Sequence, residues 1–75
     1  MEDIFEKIKD IFVDQTDVED EIFMDSNLMN DLGLTSMDVF TAVAEIKKKF
    51  KITVPEKDLR SFVTMGDIVR YVASK

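Results

Sequence analysis

Asp31-Leu32-Gly33-Leu34-Thr35-Ser36-Met37-Asp38 packs a turn, a helix start and two adjacent hydroxyls into eight residues. Gly33 permits the backbone reversal that ends a loop. Leu32 and Leu34 are apolar anchors on either side of it. Thr35 or Ser36 caps the helix that follows, and Thr35 with Asp38 forms a pair of the capping-box type. Seen alone, a serine in this place is a cap far more often than a reactive group.

Downstream of the cap, Val39, Val43, Ile46 and Phe50 recur at helical spacing, with Phe40 at the edge of that face. This predicts a helix to about Phe50. Lys47, Lys48 and Lys49 fall near its C-terminus, where cations complement the dipole. Ile52-Thr53-Val54 then alternates before Pro55, and a residue before proline prefers extended backbone. Pro55 opens a short helix over about Glu56–Ser61, with Leu59 and Phe62 facing inward. Thr64 and Asp67 form a second capping-box-like pair. They start a last helix with Met65, Ile68, Val69 and Val72 on its apolar face and Tyr71 at the edge.

Upstream, Met1 to about Gln15 reads as an amphipathic helix through Ile4, Phe5, Ile8, Ile11 and Phe12, with Glu2, Lys9 and Asp10 on the wet side. Residues 16–35 follow no helical period. Thr16, Asp17, Asp20, Asp25, Asn27, Asn30 and Gly33 form turns, and Ser26 is placed to cap one. Val18, Ile22, Phe23, Met24, Leu28, Met29, Leu32 and Leu34 pin this long loop to the core. A loop of this length is usually functional or partly structured. The expected fold is an all-α bundle of three longer helices and one short one, a single domain over residues 1–75.

Composition narrows the chemistry. The 75 residues contain no His, Cys or Trp. That excludes a Ser–His or Cys–His nucleophile and a zinc site built on His or Cys. A chain this small rarely builds a deep, water-excluding pocket. The net charge of −6 argues against nucleic acid, which needs a basic surface. The charge is uneven: residues 1–45 hold thirteen acids and two bases, and residues 46–75 three acids and eight bases. Such polarity suggests recognition of a protein partner. No apolar run is long enough for a membrane span or signal peptide, so a cytoplasmic location away from membranes is expected. Neither Asp14-Gln15-Thr16-Asp17 nor Asp25-Ser26-Asn27 continues into a calcium-binding loop pattern, and no metal site is expected.

Ser36 has no histidine to take its proton, so it is not a self-activated nucleophile. It remains a hydroxyl acceptor for another enzyme. A phosphodiester formed there would meet free N–H groups and the positive end of the helix dipole.

The stretch Asp-Leu-Gly-Leu-Thr-Ser-Met-Asp resembles the attachment motif of acyl carrier proteins, whose common form is Asp-Leu-Gly-Ala-Asp-Ser-Leu-Asp. The likeness extends over nearly the whole chain, through the first helix, the acidic loop, the Ser36 helix, Phe50, the Ile52-Thr53-Val54-Pro55 connector and the Thr64-headed last helix. It implies a free-standing, monomeric carrier that catalyses nothing itself. By this resemblance Ser36 accepts 4′-phosphopantetheine from coenzyme A through a phosphopantetheinyl transferase, and the arm carries acyl groups as thioesters between loading and condensing enzymes. It implies an acyl-chain pocket between the second and last helices, near Phe40, Val43, Ile46, Leu59, Phe62 and Ile68. It also implies a partner-binding face at Met37, Asp38, Thr41, Ala44 and Lys48.

Two departures bear on partners. Where this chain has Thr35, the family usually has an Asp that is associated with transferase recognition. General fatty-acid carriers commonly have acids along the Ser-headed helix, and here Met37, Thr41, Ala44 and Lys48 form a stripe with none. A dedicated polyketide or secondary pathway is therefore set beside fatty-acid synthesis. The Ser-Met pair is reminiscent of D-alanyl carriers. A D-alanyl, aminoacyl or peptidyl carrier stands as an alternative, as does an unmodified acidic helical adaptor.

Overall fold

The computed structural model describes residues 2–16, 18 and 21–75. Among the described residues four helices follow in order: α1 (Glu2–Gln15), α2 (Ser36–Phe50), α3 (Glu56–Leu59) and α4 (Met65–Ala73). The all-α reading holds, with no strand among the described residues. Met1, Asp17 and Asp20 lie outside them.

α1 buries Ile8, Ile11 and Phe12 and half-buries Ile4 and Phe5. It packs against both α2 and α4. Its last turn closes on Thr16, whose backbone N–H and Oγ1 both donate to the Phe12 carbonyl. Lys9 is less wet than its place in the helical pattern suggests. Its stem is half-buried, its ammonium lies 5.7 Å above the Phe5 ring, and Glu6 pairs with it at 3.3 Å. Long cationic side chains cover apolar surface with their methylenes in this way.

α2 contributes Val39, Ala42, Val43 and Ile46 to the core, and α4 contributes Met65, Ile68, Val69 and Val72. Phe12, Ile8, Met65, Ile68 and Val69 are almost completely enclosed, each worth roughly 1.5–3 kcal/mol of burial. Phe50 is only half-buried, because it sits in the last turn where the chain leaves the bundle. Lys51 ends α2 in the left-handed region (φ 56, ψ 48), and its N–H returns to the Lys47 carbonyl. Pro55 precedes α3, whose single turn stops at Leu59, two residues short of Ser61. None of the four helices is long and apolar enough to cross a membrane.

The segment between α1 and α2 is not featureless. Ile22, Leu28, Leu32 and Leu34 anchor it in the core and Val18 is half-buried, but Phe23, Met24 and Met29 face solvent. Ser26 does not cap the turn that follows. Its Oγ accepts the Phe23 N–H at 2.8 Å and its own N–H donates to the Phe23 carbonyl, closing the preceding turn. Asn27 caps instead: its Oδ1 accepts from Met29 and Asn30, and Asp31 accepts the Asn27 N–H at 2.7 Å. Gly33 then reverses the chain at φ 68, a value that disfavours any side chain. This reversal delivers Thr35 to the start of α2.

Candidate functional site

α2 and α4 begin with the same device. Thr35 is the N-cap of α2: Asp38 N–H donates to its Oγ1 at 3.2 Å, and Asp38 Oδ2 accepts the Thr35 N–H at 3.1 Å. Thr64 and Asp67 repeat this at α4, with distances of 3.2 and 3.0 Å. Of the two residues that sequence left open as the cap of α2, the structure selects Thr35. Ser36 is the first helical residue, exposed, and released from capping.

What lies in front of the two helices differs. At α4 the free donors are already used: Met65 N–H donates to the Ser26 carbonyl at 3.1 Å and Gly66 N–H to the Met24 carbonyl at 2.7 Å. An antiparallel bridge between Asn27 and Thr64 holds the two chain segments together there. Asp67 Oδ2 also accepts the Val63 N–H at 2.9 Å. These backbone donors from Val63 and Thr64, helped by the Arg70 guanidinium, hold the Asp67 carboxyl below its usual range. At α2, the Ser36 and Met37 N–H groups have no acceptor among the described residues. Both residues are exposed, at the positive end of a fifteen-residue helix, a favourable setting for an anion. One helix start is sealed by the loop, and the other is open with a hydroxyl on it.

Ser36 also borders a cleft of about 620 Å³ between α2, the Asn27–Asn30 turn and the segment from Glu56 to Val63. Phe40, Leu59 and Phe62 line it with Leu28, Met29 and Val39. A second opening of about 330 Å³ continues past Phe40 and Leu59 to Val43, Ala44 and Val54. Four of the six residues expected around a pocket thus line these two openings. Ile46 and Ile68, each 1% exposed, are in the closed core and line neither. The space lies between α2 and α3 rather than between α2 and α4, because α4 has turned its apolar face onto α1.

On the outer side of α2, Met37 is 71% exposed, and Thr41, Ala44 and Lys48 are exposed beyond it. Asp38 is half-buried, with its carboxylate committed to the cap. Lys48 meets Glu45 at 3.7 Å on the surface, a contact of little energetic weight. Sequence reasoning passed over Asn27, Met29, Asn30, Arg60 and Val63 as neighbours of Ser36. Met29 and Val63 are more than half exposed. A large apolar residue inside a polar turn was the available signal for Met29.

A family model for the phosphopantetheine attachment site matches residues 6–72. Acyl carrier proteins of Clostridium perfringens and Wolinella succinogenes are 36% and 37% identical to the chain over 70 residues, covering 92% of it and 92% of each relative. The chain belongs to the acyl carrier protein family. A solved structure of a Mycobacterium tuberculosis protein described as an acyl carrier protein superposes with a TM-score of 0.88 at 25% identity, covering 95% of this chain and 96% of that one. The cofactor of this carrier family is phosphopantetheine. Its members work with phosphopantetheinyl transferases and acyl-processing enzymes.

Proposed function

We propose that the chain is a monomeric cytoplasmic carrier, acting as one domain over residues 1–75, whose phosphopantetheine arm is attached to Ser36 Oγ. The observation that carries this reading is the open start of α2. Ser36 is exposed, Thr35 has taken over the capping, and the Ser36 and Met37 N–H groups, with no acceptor among the described residues, are available to a phosphate. The residues present fit the group: a hydroxyl for the bond, two donors for the phosphate oxygens and an apolar cleft alongside. The arm, when attached, supplies a terminal thiol that holds the acyl group as a thioester.

This chain's own part is positional. The transferase must supply the base for the Ser36 proton, because this sequence has no histidine. The bond from Ser36 Oγ to phosphorus forms as the nucleotide half of coenzyme A leaves. The dipole of α2 then favours the phosphodiester charge. Phe40, Leu59 and Phe62 give an acyl chain an apolar place beside its attachment point, with Val43 lining the adjoining opening. No catalytic role is assigned to the chain.

The acid-free stripe of Met37, Thr41, Ala44 and Lys48 supports service to a dedicated pathway rather than general fatty-acid synthesis, since complementary charge mainly sets partner choice and encounter rate. The exposed Met37 after Ser36 keeps a D-alanyl carrier as the second reading. Incubation with coenzyme A and a broad-specificity transferase tests the carrier reading. The intact mass should rise by a single arm, whereas an unmodified adaptor gains nothing.

A further inference from the structure

α3 is one turn long, and so short a helix has no stability of its own in water. Its position depends on what it touches. Leu59 is buried beneath it. Asp58 accepts a hydrogen bond from the Tyr71 hydroxyl at 2.8 Å, and among the described residues this is the one side chain–side chain hydrogen bond that joins two helices. The Phe62 ring, just past α3, stands edge-on to the Tyr71 ring with centroids 5.4 Å apart and planes at 76°. Tyr71 thus holds the chain on either side of Leu59. Its ring is itself covered by the Lys75 ammonium at 4.8 Å.

Leu59, Arg60 and Phe62 form one wall of the cleft, and Ser36, Val39 and Phe40 form another. Tyr71 does not line the cleft. It lies on α4, and its bond to Asp58 ties the α3 wall to α4, so losing that bond leaves the wall freer to give way to a longer chain. The Asp58 carboxylate also raises the Tyr71 phenol above its ordinary value, which keeps the donor protonated.

We propose that Tyr71 is the positioning residue that sets the width of the cleft beside Ser36, and through it the size of acyl chain the cleft holds. This rests on the reading above that the cleft receives the acyl chain. Tyr71→Phe keeps the ring and its contact with Phe62 but releases Asp58. Asp58→Asn keeps an acceptor for the hydroxyl. Losing one hydrogen bond of ordinary strength corresponds to roughly a 2- to 10-fold change in an opening equilibrium.

The first measurement is amide hydrogen exchange on the arm-free protein. Opening of residues 56–62 should rise roughly 2- to 10-fold in Tyr71→Phe and less in Asp58→Asn, with Ile8 and Phe12 on α1 unchanged. The second is thermal stabilisation of the arm-bearing protein loaded with butyryl, octanoyl and tetradecanoyl groups. The chain that stabilises most should be longer in Tyr71→Phe than in wild type. Unchanged exchange at residues 56–62 overturns the proposal and leaves the carrier reading intact. Faster exchange with an unchanged chain-length profile also overturns it, reducing Tyr71 to a structural brace. A wild type that takes the arm but shows no dependence on chain length overturns the cleft reading, and this proposal with it.

Discussion

The Gly66 N–H donates to the Met24 carbonyl at 2.7 Å, and a Cβ on residue 66 would lie 2.9 Å from that same oxygen. The contact explains a glycine inside α4, where it otherwise costs about 1 kcal/mol relative to alanine. It helps close the Met24–Ser26 backbone onto the start of α4, and that closure is what distinguishes the sealed helix start from the open one at Ser36.

Gly66→Ala is therefore expected to destabilise the protein, despite alanine's better helix propensity. Of the two atoms crowded at 2.9 Å, the Arg70 guanidinium can move aside but the Met24 carbonyl is backbone, and overpacking of this kind costs about 1–3 kcal/mol. Urea unfolding monitored by circular dichroism measures it. A variant as stable as wild type or more so would mean that the loop is not held against α4.

Acid should weaken the same region. Backbone donors from Val63 and Thr64, with Arg70 beside them, depress the folded-state pKa of Asp67 below its usual value of 3.8. Unfolding raises it back, so its contribution is fully present above about pH 4 and is lost as pH falls through the lower folded value. Wild type should lose stability below pH 4 more steeply than Asp67→Asn in parallel melts at pH 6 and pH 3. Equal losses would remove Asp67 from the acid response.

Much of the fold was legible because its signals are local. The paired Thr-x-x-Asp boxes and the 3-to-4 spacing of Val39, Val43 and Ile46 need no tertiary knowledge, and α2 and α4 lie where they predict. The loop was harder, since Ser26 and Asn27 are both turn formers, and their roles separate only in the structure, where Ser26 Oγ accepts from Phe23 N–H behind it and Asn27 Oδ1 from Met29 and Asn30 ahead. The cleft was half legible. Phe40 reads as an edge position and Leu59 as facing inward, but whether Ile46 faced an opening or the core depended on where α1 packs, which no local pattern states.

Phe50 and Ile68 read alike in sequence as core residues, and the structure separates them. Ile68 is 1% exposed, while Phe50 is half-buried at a helix end. Ile68→Ala should cost roughly 2–5 kcal/mol. Phe50→Ala should fall nearer about 1 kcal/mol, the centre for ordinary substitutions. Thermal melts of the two variants side by side decide it, and a larger loss for Phe50→Ala would contradict this account of the core.

The stripe on α2 gives a prediction about partners. Lys48 is about 18 Å along the axis from Ser36, beyond the Debye length of about 8 Å at physiological salt. It should therefore leave arm attachment unaffected and act on docking. Loaded wild type should be a poor substrate for a general malonyl transferase or ketosynthase. Thr41→Glu with Lys48→Glu should improve turnover, more so at low salt. A wild type equal to a housekeeping carrier, or a double variant without effect, contradicts the dedicated-pathway reading.

Most direct is the site of attachment itself. Wild type, Ser36→Ala, Ser26→Ala and Ser61→Ala are incubated with coenzyme A and a phosphopantetheinyl transferase, then analysed by intact mass and peptide mapping. Ser36→Ala should stay folded, because Thr35 caps α2, and should gain no arm. Wild type and the other two variants should each gain one, mapped to Ser36. An arm on Ser36→Ala, or one mapped to Ser26 or Ser61 in wild type, would contradict the assignment.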